Sequence, residues 1–191
     1  MRKDQHIIEF LLSRRSHPAK TLRTPGPNTN ELRILLTAAM RSPDHGKLEP
    51  WRFIILQKKA RARLANKAKL RAIELNLKEE AQNKIDFFFR HPPVSVAVIS
   101  SPKKSEKIPE VEQTLSAGAV CLSLVNASLA SGWGASWVTG WTALDRPFLQ
   151  DELGLESHEF VAGYVHIGTK SFSPPERPRP DFNTVTKVLT N

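Results

Sequence analysis

From Gln113 to Leu144 the chain carries no charged side chain. That run constrains the fold more than any other feature, because a helix apolar on all sides has to be wrapped by protein or by lipid. Ser116, Ser123, Asn126, Ser128 and Ser131 interrupt it, and Gly132 and Gly134 break it. A membrane span needs about 20 mostly apolar residues. The run is therefore read as a central helix over 109–131 buried in a protein core, then a glycine turn and a short strand over 135–140. No membrane association is expected.

The flanking segments supply layers around that helix. Asp4 can cap a short helix whose Ile7, Ile8, Leu11 and Leu12 share one face. Asn28 and Glu31 form a capping-box pattern that opens a second helix through Leu32, Leu35, Leu36, Ala39 and Met40, and Pro43 ends it. Residues 42–50 read as a loop, 51–57 as a strand and 58–89 as a long helical region broken once. His91-Pro92-Pro93 stops that region, and a buried strand follows over 94–100. Residues 102–109 read as a polar loop. Asp145 caps a helix running to Leu153, and 160–168 is a further strand. This order lacks a steady β-α-β alternation, so it predicts a three-layer α+β domain over residues 1–170 and not a doubly wound one. Residues 171–191 carry Pro174, Pro175, Pro178 and Pro180. They predict an extension that drapes over something else, a second subunit being the natural candidate.

The formal net charge is +9, which raises the question of polyanionic partners. Much of the excess comes from Lys58, Lys59, Arg61, Arg63, Lys67, Lys69 and Arg71, a stretch without an acid. The plain reading is a solvated helix face; attraction of an anionic nicotinamide cofactor, or a basic nucleic-acid-binding module, are the rivals. No recognisable nucleic-acid motif accompanies the charge. Cys121 is the single cysteine, so an intramolecular disulfide and a tetrathiolate metal site are excluded. It reads as a small buried hydrophobe in a reducing, cytoplasmic setting. The six histidines are scattered, with no zinc-site spacing. There is no Gly-x-Ser-x-Gly elbow and no Walker-type loop, and Gly132-Trp133-Gly134 lacks the third glycine of a dinucleotide fingerprint. A chain without an evident nucleophile or metal that is nonetheless an enzyme would rely on an organic cofactor.

Four passages resemble the nitroreductase family. Arg14-Arg15-Ser16 follows the first helix; Arg41-Ser42-Pro43-Asp44-His45 is followed by Pro50-Trp51; Glu112-Gln113 precedes Ser116-Ala117-Gly118-Ala119; and Gly132-Trp133-Gly134 leads into Trp137-Val138-Thr139, with Gly168-Thr169 closing the last strand. The Pro-Asp-His loop resembles a subgroup of short nitroreductases. The resemblance implies a central, mainly antiparallel sheet flanked by helices, in a homodimer with FMN at the subunit interface. It also implies a ping-pong oxidoreductase that takes hydride from NAD(P)H and reduces an electron-poor small molecule, nitroaromatic or quinone-like. Arg14, Arg15 and Ser16 would meet the FMN phosphate and ribityl chain, with Gly168 and Thr169 near the phosphate. The turn of Trp137, Val138 and Thr139 would face the flavin, with Arg41 and His45 reaching it from the second subunit. Arginine suits phosphate because its planar fork donates in pairs. Val138 stands where the short subgroup has arginine, which limits this position to backbone contacts and leaves open a flavin fold without reductase activity.

Overall fold

The computed structural model describes residues 5–190. Asp4, the expected cap of the first helix, lies outside the described residues. The chain opens with α1 (Gln5–Ser13), a two-residue strand β1 (Leu22–Arg23) and α2 (Thr29–Ala39). β2 (Trp51–Leu56), α3 (Lys58–Glu74) and α4 (Glu79–Ile85) follow, and a π-helical turn over Asp86–Arg90 leads to β3 (Val94–Ser100). Then come α5 (Glu110–Ala130), β4 (Gly134–Val138), α6 (Arg146–Leu153), β5 (Phe160–Lys170) and a single turn α7 (Phe182–Val185).

All five strands join one antiparallel sheet with β5 at its hub: β5 pairs β3, β4 and β1, and β2 pairs the far side of β3. Alternation along the strands gives each face its own core. Val96, Val98, Val165, Ile167 and Ala135 point to the α2–α5 side with Leu35, Val120 and Leu124. Ala97, Ile99, Val161 and Tyr164 point to the other, with Leu64 and Ala68 of α3, Phe89 and Phe148. Helices thus cover both faces of an antiparallel sheet, as expected.

α5 is the one helix among the described residues long and apolar enough to cross a membrane. It lies on the sheet instead, with Ala117, Val120, Cys121 and Leu124 fully buried. The expectation of a helix wrapped on all sides is corrected in one respect, since Val111, Leu115 and Leu122 form an exposed stripe at helical spacing.

One expected break and two further differences have local causes. The 58–89 region breaks where Asn76 adopts φ +50°; Leu77 N–H reaches back to the Ala72 carbonyl, a left-handed helix ending. α2 ends at Ala39, before Pro43, because Ser42 turns its hydroxyl onto the Ala39 carbonyl and the backbone tightens there. The basic stretch on α3 is largely compensated and is not a free solvated face. Arg61 is buried and donates to the carbonyls of Leu56, Phe89, Arg90, Pro92 and Pro93. Arg63 and Lys67 meet Glu152, Lys69 meets Asp86, and Arg71 binds Asp145 and Glu74. All of the compensating acids but Glu74 are distant in sequence, which is why the stretch reads as bare.

Candidate functional site

After α1 the chain runs beside β4, with the His17 N–H donating to the Ala135 carbonyl (2.8 Å). That bond sets Arg14, Arg15 and Ser16 next to the glycine-led strand. Arg14 Nη2 donates to Ser16 Oγ (3.1 Å), while Arg14 Nε and Arg15 Nη1 are buried without a hydrogen-bond partner. Buried donors of this kind are rare in native proteins and point to a missing acceptor. They border a cavity of about 710 Å³ whose other wall is Glu176–Pro180. Arg177 and Arg179 line it too, and Arg179 donates to the Leu12 carbonyl. Four arginines thus line one open space, a residue set suited to a phosphate. Glu176 is the discordant member, its carboxylate lying 3.8 Å from Arg15 and 3.3 Å from Arg179. This wall is absent from the expectations above; Arg177-Pro178-Arg179, basic residues pinned among prolines, is its signal in the sequence.

β4 presents the second part of the site. The Trp137 indole is 42% exposed and donates to the Ala162 carbonyl, which a β-bulge in β5 leaves available. The ring lies where a Cβ on Gly163 would stand, 1.9 Å from the indole nitrogen. Val138 turns its side chain into the α3-side core, so only its backbone is available there. The ladder with β5 ends at the Val138–Tyr164 pair, and Thr139 is exposed. Gly168 and Thr169 have framework roles. A side chain on Gly168 would strike Pro93 at 2.8 Å, and the Thr169 hydroxyl donates to the Pro25 carbonyl (2.7 Å). His17, buried beside this segment, has its pKa lowered by burial and then by the charge of Lys170.

Arg41 and His45 form a separate group within the chain. Arg41 is exposed and lines a different cavity of about 610 Å³ with Asp44, Trp51 and Arg52. His45 Nδ1 lies 2.8 Å from Glu112 Oε2 at the start of α5. Directly after His45, Gly46, Lys47 and Glu49 all have positive φ (+70°, +53°, +49°). The Asp44 carboxylate holds that strained turn by accepting from the Leu48 and Glu49 N–H groups. Ser116 on α5 donates to the Pro43 carbonyl (2.7 Å) and accepts from Trp51 Nε1 (3.1 Å). The second and third sequence passages are therefore one mechanical unit. No group of three or more histidine, cysteine or acidic side chains able to hold a metal occurs among the described residues.

Comparison with known proteins gives these geometries a context. The model of the "Nitroreductase family" matches residues 11–169. A Haemophilus influenzae protein provisionally named an NAD(P)H nitroreductase is 32% identical over 164 residues, covering 85% of this chain and 87% of that protein. Among solved structures, a nitroreductase-like family protein from Bacillus cereus superposes with a TM-score of 0.83 at 20% identity, covering all of both chains. A nitroreductase with bound FMN from Bacteroides fragilis superposes at 0.74 and 19% identity, over 97% of this chain and all of the other.

Proposed function

This chain belongs to the nitroreductase family and is an oxidoreductase of that type; from that premise we propose that it is an FMN-dependent homodimer reducing an electron-poor aromatic with NAD(P)H. The observation that carries the reading is that Arg14 Nε and Arg15 Nη1 are buried without a hydrogen-bond partner, on two arginines that line an open cavity. They fit the FMN phosphate, with Ser16 beside them and Arg177 and Arg179 closing the far side. Glu176 would have to yield as the phosphate arrives.

Bound FMN would supply the redox chemistry, accepting hydride from NAD(P)H and passing two electrons on in alternating half-reactions. For a quinone the sum is NAD(P)H, one proton and the quinone giving NAD(P)⁺ and the hydroquinone. The protein holds and shields. The Trp137–Thr139 backbone, free of the ladder beyond Val138, would orient the flavin ring. Arg41 and His45 of the partner subunit would reach the ring from the far side. Dimerisation is supported by two exposed apolar faces, Ile8, Leu11 and Leu12 on α1 and Val111, Leu115 and Leu122 on α5. Within the 171–191 extension of the 1–170 domain, Glu176–Pro180 stays on its own chain's cavity, and the remainder would pack on the partner.

The visible spectrum of the purified protein, followed by anaerobic addition of NAD(P)H, tests this. A flavin spectrum that bleaches supports the reading; a colourless protein that also refuses added FMN sinks it.

A further inference from the structure

Resting on the phosphate assignment above, we propose that Glu176 is an internal competitor of that phosphate, and that residues 172–180 are a strap that releases Arg15 to admit the anion and closes over it through Arg177 and Arg179. Three observations carry this.

The first is the contact itself. One oxygen, Glu176 Oε1, lies 3.8 Å from Arg15 Nη1 and 3.3 Å from Arg179 Nη1. Arg15 Nη1 is also one of the buried donors without a hydrogen-bond partner. The carboxylate therefore offsets the charge of Arg15 but stops beyond hydrogen-bond range of it. A phosphate brings more acceptors and more charge, so it would satisfy the same donor and displace the carboxylate.

The second is how the segment is attached. At the end of β5 the Ser171 hydroxyl donates to the Thr21 carbonyl (2.6 Å), which fixes one end. From there to Pro180, hydrogen bonds and ion pairs among the described residues join the segment to the rest of the chain only at Glu176 and Arg179, the latter at the Leu12 carbonyl. Pro174, Pro175, Pro178 and Pro180 restrict its φ angles, so it would move as one stiff piece.

The third is the division of charge along it. The Glu176 side chain is 63% exposed and can turn into water without losing solvation. Arg177 lines the cavity with no ion-pair partner among the described residues, a cation held in reserve for an incoming anion. A tethered carboxylate is present at an effective concentration on the order of millimolar, so even a weak contact competes with dilute ligands. The strap thus keeps the arginines from free carboxylates and other weak anions, and yields to a phosphate.

The test follows FMN binding to the full chain freed of flavin, by flavin fluorescence in stopped flow, for wild type, Glu176→Gln, Glu176→Asp and Arg177→Gln. Both Glu176 variants should bind FMN about two- to fivefold faster than wild type, the range set by one exposed ion pair. The aspartate keeps the charge and shortens the arm. A gain in the glutamine variant alone would mean simple repulsion, and a gain in neither would mean no competition; each overturns the strap. Arg177→Gln should release FMN about tenfold faster, as expected for a lost charge-assisted hydrogen bond, and an unchanged release would overturn the closing step. A wild-type protein that binds no FMN fails the preceding reading instead. Calorimetric titration with inorganic phosphate then decides the strap: affinity raised in both Glu176 variants supports it, and equal or absent binding overturns it.

Discussion

At the scale of single residues, Arg15 and Glu176 stand at one cavity with opposite charges, so they should move cofactor affinity in opposite directions. A charge-assisted hydrogen bond contributes about 1.5–3 kcal/mol. Arg15→Ala is expected to weaken FMN binding by about ten- to a hundredfold, and Glu176→Gln to tighten it. Fluorescence titration of apoprotein with FMN measures both, and equal affinities across the three proteins would remove the phosphate assignment. The sequence exposed one side of this pair and hid the other. Arg14-Arg15-Ser16 is contiguous and carries a family signature; Glu176–Pro180 joins it only through the fold. Arg61 teaches the same lesson in reverse. The charged residues around it in sequence are all basic, yet it is 5% exposed and serves five backbone carbonyls, because its helix faces the chain's exit from the π-helical turn.

At the scale of elements, the hub strand β5 carries two testable features. Burial pushes the pKa of His166 from 6.5 down to about 3, with its Nδ1 2.8 Å from Ser95 Oγ on β3. The folded imidazole stays neutral while the unfolded one takes a proton near pH 6.5. Stability is therefore complete above that value and falls as pH drops from about 6.5 toward 3, by about 2 kcal/mol between pH 7 and 5. Urea unfolding at both pH values should show that loss in the native protein and a smaller one in His166→Asn. An identical pH dependence would show that other groups govern acid stability. Three residues earlier, Gly163→Ala sets a methyl against the Trp137 indole. A loss of about 2 kcal/mol with an altered near-ultraviolet circular dichroism spectrum is expected; a native spectrum would mean that the strand gives way and the ring does not. The strands, α2 and α5 were legible because their apolar patterns and caps are local. β1 was not, since two residues, Leu22 and Arg23, pair with Lys170 and Thr169 at the far end of the chain. The π-helical turn was not, because a break in helical periodicity does not say which wider turn replaces it.

At the scale of the whole molecule, the proposed dimer would take the exposed stripe of α5 as its interface. Leu115 is 67% exposed and uncharged neighbours flank it. Leu115→Glu is expected to convert the dimer to a monomer by light scattering and to release FMN in the same step, because Arg41 and His45 would no longer be delivered by a second subunit. A dimer that persists with full flavin content would move the interface elsewhere. A reductase acting on quinones, as proposed above, would also live among electrophiles that arylate thiols. Its sole cysteine, Cys121, is sealed under α2 and the sheet, and burial raises its pKa to about 12. Thiolate is then negligible at neutral pH. The folded molecule presents no thiol to such substrates, so repeated turnover should leave Cys121 unarylated.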